Sequence, residues 1–331
     1  MKAIILILIL SSCRKDPVLP NIMVCNDTIP KLPCIANYND YTTDSFDFAI
    51  KELLPHSPIF QTYVSVNEYA YSVPVFNPNS PYEIIYTRRY ENDNDLDSEI
   101  WKFSFCTGKA IKITDDFYYG LDWGSNGWIL YTGTGHRIHK IKDNGDSLTI
   151  LSTQEGFNRA GKWNPSGTLY WNKRNQTQIE NINGNIIKTV IYKPLFWLSD
   201  STFLTQSTGF ALYSYNINNE ALIQLNSNWT NSTAAKIFDA TNNYLYVADP
   251  NGTMEYDYLL KYDLNGSNQL DTVKKMYTSY MYSSGDIAND KMIITLVRKD
   301  WKDSLQDIVS VRMNLLMMNL DGTDERLVEL P

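Results

Sequence analysis

A turn between two apolar strands recurs six times along this 331-residue chain, and that recurrence limits the fold more than any other feature. Its fullest copy is Trp163-Asn164-Pro165-Ser166-Gly167, followed by the apolar run Leu169-Tyr170-Trp171. Counterparts begin at Phe76, Trp123, Trp197, Phe238 and Ile287, spaced 34 to 49 residues apart. Each opens on a large apolar residue, turns, and re-enters an apolar strand. A second turn runs in phase: Thr107-Gly108, Asn144-Gly145, Asn183-Gly184, Asn218-Asn219, Asn265-Gly266 and Asp321-Gly322. Asn-Gly and Asp-Gly are hairpin dipeptides, expected here as type I′ turns with positive φ at both central positions. Two hairpins make four strands, and four strands per ~40 residues is the period of a propeller blade. The expectation is an all-β chain, a six-bladed β-propeller of four-stranded antiparallel blades over residues 59–331.

Composition agrees. Tyr (23), Phe (12) and Trp (8) supply strand formers, and Asn, Ser, Thr and Asp fill the gaps between short apolar runs. Blades pack face to face, so both sides of a strand are buried and period-2 alternation weakens, as in Leu169-Tyr170-Trp171. A ring must also cover its edges. The run Phe60–Val66 precedes the first repeat and offers an outer strand for the last blade, or serves only as an approach segment.

The repeat resembles that of the TolB-type six-bladed β-propellers. Trp163-Asn164-Pro165-Ser166-Gly167 is similar to the family's Trp-Ser-Pro-Asp-Gly turn, and Phe76-Asn77-Pro78-Asn79 is a looser copy. Ser98-Glu99-Ile100-Trp101, then Thr107-Gly108 and Ile113-Thr114, is similar to the second half of a family repeat. The repeats from Phe238 and Ile287 keep only the apolar frame.

The N-terminus reads as an address. Met1-Lys2 precedes an apolar run, Ala3 to Leu10, that is too short to span a bilayer. Leu10-Ser11-Ser12-Cys13 resembles a bacterial lipobox. The resemblance implies a signal peptide over residues 1–12, cleaved before Cys13, and lipid on that cysteine. Each buried methylene adds ~0.8 kcal/mol of membrane affinity, so several acyl chains anchor stably. Residues 13–58, punctuated by Pro17, Pro20, Pro30, Pro33, Pro55 and Pro58, read as a tether. The implied place is the bacterial outer membrane, facing the periplasm or the outside. Short Asp-Ser/Thr-apolar triplets such as Asp146-Ser147-Leu148 resemble the O-glycosylation triplet of Bacteroidota. Cys25 and Cys34 stand close enough to pair in an oxidising compartment, and Cys106, in an apolar alternating run, reads as a buried thiol.

Chemistry is sparse. A net charge of −8 argues against a nucleic-acid partner. His136 and His139 are three apart, which in a strand sends them to opposite faces and away from a shared metal. Asp93, Asp95 and Asp97 take the first ligand positions of an EF-hand, but Ser98 stands where Gly is needed and Ser104 where Glu is needed. A looser calcium site or a solvated loop remains. No Gly-x-Ser-x-Gly elbow, phosphate loop or dinucleotide fingerprint occurs, and no cofactor is expected. Second strands end in Arg88-Arg89, Lys173-Arg174 and Arg298-Lys299, with Trp301 close by. Equivalent strand ends share one face, so these predict a cluster for an acidic peptide or anionic glycan, or ordinary ion pairs with nearby acids. The expected function is a non-enzymatic, lipid-anchored binding or scaffold module for a protein, peptide or glycan. The alternative is an envelope polysaccharide lyase or hydrolase with carboxylates at the propeller funnel.

Overall fold

The structure, a computed structural model, describes residues 69–90, 98–152, 158–173, 176–206, 211–226, 236–240, 243–249, 256–264, 271–277, 280–302, 307–328 and 330. It is an all-β propeller of six four-stranded antiparallel blades, with no α-helix among the described residues. Blade one holds β1 (Tyr69–Asn77), β2 (Ser80–Tyr90), β3 (Ser98–Ser104) and β4 (Lys109–Phe117). Blade two holds β5 (Tyr119–Trp123), β6 (Trp128–Gly133), β7 (Arg137–Lys142) and β8 (Thr149–Ile150). Blade three holds β9 (Arg159–Trp163), β10 (Leu169–Lys173), β11 (Thr177–Asn181) and β12 (Ile186–Val190). Blade four holds β13 (Pro194–Trp197), β14 (Thr202–Gln206), β15 (Leu212–Asn216) and β16 (Leu222–Asn226). Blade five holds β17 (Lys236–Asp239), β18 (Tyr244–Asp249), β19 (Tyr256–Asp263) and β20 (Asp271–Tyr277). Blade six holds β21 (Tyr280–Ala288), β22 (Lys291–Lys302), β23 (Asp307–Asn319) and β24 (Arg326–Val328).

The recurrent turn joins the first and second strands of every blade, and the second set of turns joins the third and fourth. Asn164 closes its turn locally. Its carbonyl accepts the Gly167 N–H at 2.8 Å, and its Oδ1 accepts the N–H groups of Thr168 and Leu169 at 2.8 and 3.0 Å. Gly167 takes φ +68°, which glycine adopts at no steric cost. The type I′ expectation for the second turns is corrected. Gly145, Gly184 and Gly322 have positive φ, whereas Asn144, Asn183 and Asp321 do not. The N–H groups of the three glycines bond back to Lys142, Asn181 and Asn319. These are type I turns followed by one left-handed glycine, the three-residue hairpin solution.

Alternate residues of each second strand pack on opposite neighbours. Ile84 and Tyr86 join Ile293, Leu315 and Met317 of blade six, while Ile85 joins Trp123 and Ile129 of blade two. Tyr170 packs toward blade two and Trp171 toward blade four. The remaining interfaces are closed in the same way by Leu204 with Leu245, and by Tyr246 with Met292. Every blade interface is therefore an apolar cluster of this kind. Each described blade is built from one contiguous segment, so blade six owns all four of its strands. Phe60–Val66, the other source considered for its edge, lies outside the described residues.

Cys106 corrects its reading as a buried thiol. It is disulfide-bonded, and its partner lies outside the described residues. The physical reason is position. β3 ends at Ser104, Phe105 fills the core, and Cys106 falls half-buried in the following turn. The remaining cysteines are Cys13, Cys25 and Cys34, all N-terminal to the propeller and outside the described residues, as is the expected Cys25–Cys34 pair.

Candidate functional site

The six first strands line the axis, and their turns form a funnel mouth on one face of the disc. A cavity of about 490 Å³ opens there, lined by residues of all six blades. A second cavity of about 260 Å³ lies further along the axis, walled by small residues such as Gly120, Ala160 and Ser284. Val75, Lys162 and Phe196 line both. They belong to one ring position, the residue before each repeat's large apolar residue. Around the ring it reads Val75, Asp122, Lys162, Phe196, Ile237 and Asp286. The following residue is always apolar, for inter-blade packing, whereas this one changes character from blade to blade.

Two of the ring's acids latch neighbouring blades. Asp122 Oδ2 accepts the Trp163 N–H at 2.7 Å, and Asp286 Oδ2 accepts the Phe76 N–H at 2.9 Å. Asp122 Oδ1 is 3.1 Å from Lys162 Nζ. Burial pulls the Lys162 pKa down, but Asp122 and then Asp286 outweigh it, and the net shift is upward. Burial dominates at Asp286 and holds its carboxyl above the usual range, against the opposing pull of Lys162. The turns are also tied in sequence around the mouth. Asn79 Nδ2 donates to Ser125 O at 3.1 Å, Ser125 Oγ donates to Pro165 O at 2.7 Å, and Ser166 N–H donates to Asp200 Oδ1 at 2.8 Å. Phe196 and Phe238 lie half-buried in the wall, with ring centroids 5.6 Å apart. Lys162 Nζ stands 5.9 Å from the Phe196 ring.

The basic strand ends fall on the opposite face. Arg88 is committed: its Nε donates to Glu99 Oε2 at 2.9 Å and its guanidinium lies 3.9 Å from the Trp101 ring. Burial alone would raise the Glu99 pKa, but hydrogen bonds from Trp101, Arg88 and Lys112 lower it overall. Arg89 is exposed, and Lys173 is half-buried beside the second cavity. Arg298, Lys299 and Trp301 occupy β22, opposite Arg312, Val311 and Ile308 of β23. Arg174, Asp93, Asp95, Asp97 and Cys13 lie outside the described residues. The ring of Asp122, Lys162 and Asp286 is absent from the sequence-based candidates. Stacking the six repeats and reading the column before the apolar residue is the signal that finds it.

His136 and His139 part as expected, for a different local reason. His136 sits in the turn before β7 at φ +56°, 4.6 Å from the Tyr118 ring. His139 is buried in β7, with Nδ1 3.2 Å from Asp116 Oδ2 of blade one. Among the described residues, no group of three or more His, Cys, Asp or Glu could hold a metal ion. Burial lowers the His139 pKa, only partly offset by Asp116. The unfolded chain then binds this proton more readily than the native one. Its stability contribution is complete above the ordinary histidine pKa of ~6.5 and declines as pH falls below it toward the native value. The urea midpoint should therefore fall between pH 7.5 and 5, and His139→Gln should flatten that slope. An unchanged slope in the variant removes His139 as the cause.

No family profile matches the chain, and no curated protein matches it in sequence. Solved structures do match in shape. TolB from Acinetobacter baumannii is 13% identical, with a TM-score of 0.39 over 79% of this chain and 54% of that one. The chain thus spans about half of TolB's length. The C-terminal WD40 domain of Sif2 is 15% identical, with a TM-score of 0.44 over 78% and 81%. The acylaminoacyl peptidase of Pyrococcus horikoshii is 12% identical, with a TM-score of 0.50 over 82% and 47%. At these identities the likeness is one of fold.

Proposed function

We propose that this chain is a non-enzymatic binding module, held in a bacterial cell envelope by lipid on Cys13, that presents its funnel to a protein, peptide or glycan. The observation that carries this reading is the variable ring. The residue after it is apolar in every blade, yet this position sets Asp122, Lys162, Phe196 and Asp286 around one open cavity. Charged and aromatic groups at the mouth of a largely preformed concavity are the usual makings of a recognition site. The ring's carboxylates are engaged by backbone N–H groups and Lys162, which suits fixed recognition better than turnover. Arg89, exposed on the far face, offers a separate contact for an anionic group.

The test is a plugged funnel. Ala240 is exposed at the mouth, so Ala240→Trp fills it without entering the core. Immobilised wild-type chain should capture a partner from its own envelope extract that Ala240→Trp does not. Thr107→Trp, exposed in the β3–β4 turn, should capture as wild type does. Equal capture by Ala240→Trp removes the funnel from the function. One observation favours the enzymatic alternative: Asp286, half-buried at the funnel with its carboxyl pKa raised, is the acid that a polysaccharide lyase or hydrolase would use. Shortening of envelope polysaccharide by wild type but not by Asp286→Asn would establish that reading instead.

A further inference from the structure

Charge is unevenly placed on the disc among the described residues. Turns on the funnel face expose Asp146, Asp200, Glu220, Asp290, Asp321 and Asp324. The opposite face, in the sector of blades two to four, exposes cations. Arg137 follows the β6–β7 turn, Arg159 opens β9, and Lys193 precedes β13. None of the three makes an ion pair among the described residues. Among the described residues, the acids at neighbouring strand ends of this face include Asp115 and Asp116 at the end of β4. Asp116 is occupied by Thr134 and His139, and Asp115 reaches Lys112 at 3.9 Å.

Apolar groups stand among these cations. Ile191, just past the end of β12, is 79% exposed. Tyr119 is 40% exposed, with the Arg159 guanidinium 5.0 Å from its ring, and Ile150 at the end of β8 is 46% exposed. Both chemistries occur at the same strand ends.

We propose that this sector docks on an anionic bilayer surface, the one that carries the chain's lipid. The identity of that bilayer rests on the reading of Cys13 as a lipid anchor. Cations flanking protruding aliphatic and aromatic groups match a headgroup layer: the charges meet lipid phosphates while Ile191, Tyr119 and Ile150 enter the interface. The chain's overall negative charge does not prevent this. Screening confines the interaction to ~8 Å at physiological ionic strength, and within that distance the sector meets the membrane with its own cations. Docking turns the funnel, on the opposite acidic face, away from the membrane. A tethered domain that could tumble thereby becomes one with an outward mouth.

The test uses the mature-length chain carrying Cys13→Ser, so that binding owes nothing to lipid. It should pellet with vesicles of phosphatidylcholine and phosphatidylglycerol, pellet poorly with phosphatidylcholine alone, and detach as salt is raised. Arg137→Gln and Arg159→Gln should each lower the partition coefficient about fivefold, the effect of one surface charge. Ile191→Ser should lower it without changing its salt dependence. Lys109→Gln, exposed on the funnel face, should leave it unchanged. All these side chains are exposed, so folding is not at stake. Equal pelleting with neutral vesicles, or sector variants that pellet like Lys109→Gln, overturns the proposal and leaves this face to a soluble anionic partner. Lipidation is read separately, from the mass of the N-terminal peptide of the wild-type chain. Its absence would remove the anchor while leaving the vesicle result intact.

Discussion

Asp122→Ala is expected to destabilise the propeller by about 1–3 kcal/mol, the cost of leaving a buried N–H without its acceptor. Asp122 is 7% exposed and does two jobs. One oxygen holds the backbone of blade three through the Trp163 N–H, and the other neutralises Lys162. Alanine leaves the Trp163 N–H unpaired and removes the carboxylate beside Lys162, whose half-buried ammonium lines the open funnel. Asp122→Asn should cost less, since an amide oxygen still accepts from Trp163. Adding Lys162→Met to Asp122→Ala should recover part of the loss, because the stranded charge is gone. Urea unfolding at constant m-value measures all three. A loss below 1 kcal/mol for Asp122→Ala would show that the ring acids are not latches, and recovery by Lys162→Met separates the charge from the hydrogen bond.

Most of the fold was legible because its unit repeats. Six copies of a turn, each before an apolar strand, give blade number and strand number together, even though single blades such as the one from Trp197 lack the proline and the glycine. Loss of alternation was also readable: Tyr170 and Trp171 are adjacent and both buried because they serve different blade interfaces. The turn type was not legible. Asn-Gly fits both a type I′ turn and a type I turn with a left-handed glycine, and the choice depends on strand register. Cys106 was misread for a similar reason, since an apolar run does not show where pairing stops.

The site was less legible than the fold. Basic strand ends drew attention because charge is visible in one dimension. Arg88, however, is held by Glu99 on the neighbouring strand, eleven residues away. The ring of Asp122, Lys162 and Asp286 draws on blades two, three and six, and its members are scattered singly in sequence. Only superposing the repeats brings them into one column. The exposed sector of blades two to four is harder still, because Ile191 and Arg137 meet one face only once strand directions are known.

Gly161→Ala is the second large effect expected, and it is purely steric. Gly161 has no positive φ, so the backbone accepts alanine. A Cβ there would stand 1.7 Å from Trp171 Nε1 and 1.8 Å from its Cδ1, with the rigid body of an indole in the way. Trp171 is 2% exposed and lies 5.4 Å from the Trp197 ring, so it cannot retreat without disturbing the interface of blades three and four. Overpacking of this kind costs about 1–3 kcal/mol, with a matching fall in melting temperature. Trp171→Leu alone should cost a similar amount through the cavity it leaves. The two together should cost less than their sum, because the smaller side chain makes room for the methyl. Additivity would mean that the indole swings aside freely. Ligand capture adds a second reading: Trp171 and Gly161 both line the second cavity, beyond the ring from the mouth. A Gly161→Ala chain that is less stable yet captures its partner as wild type does would place binding wholly at the funnel mouth.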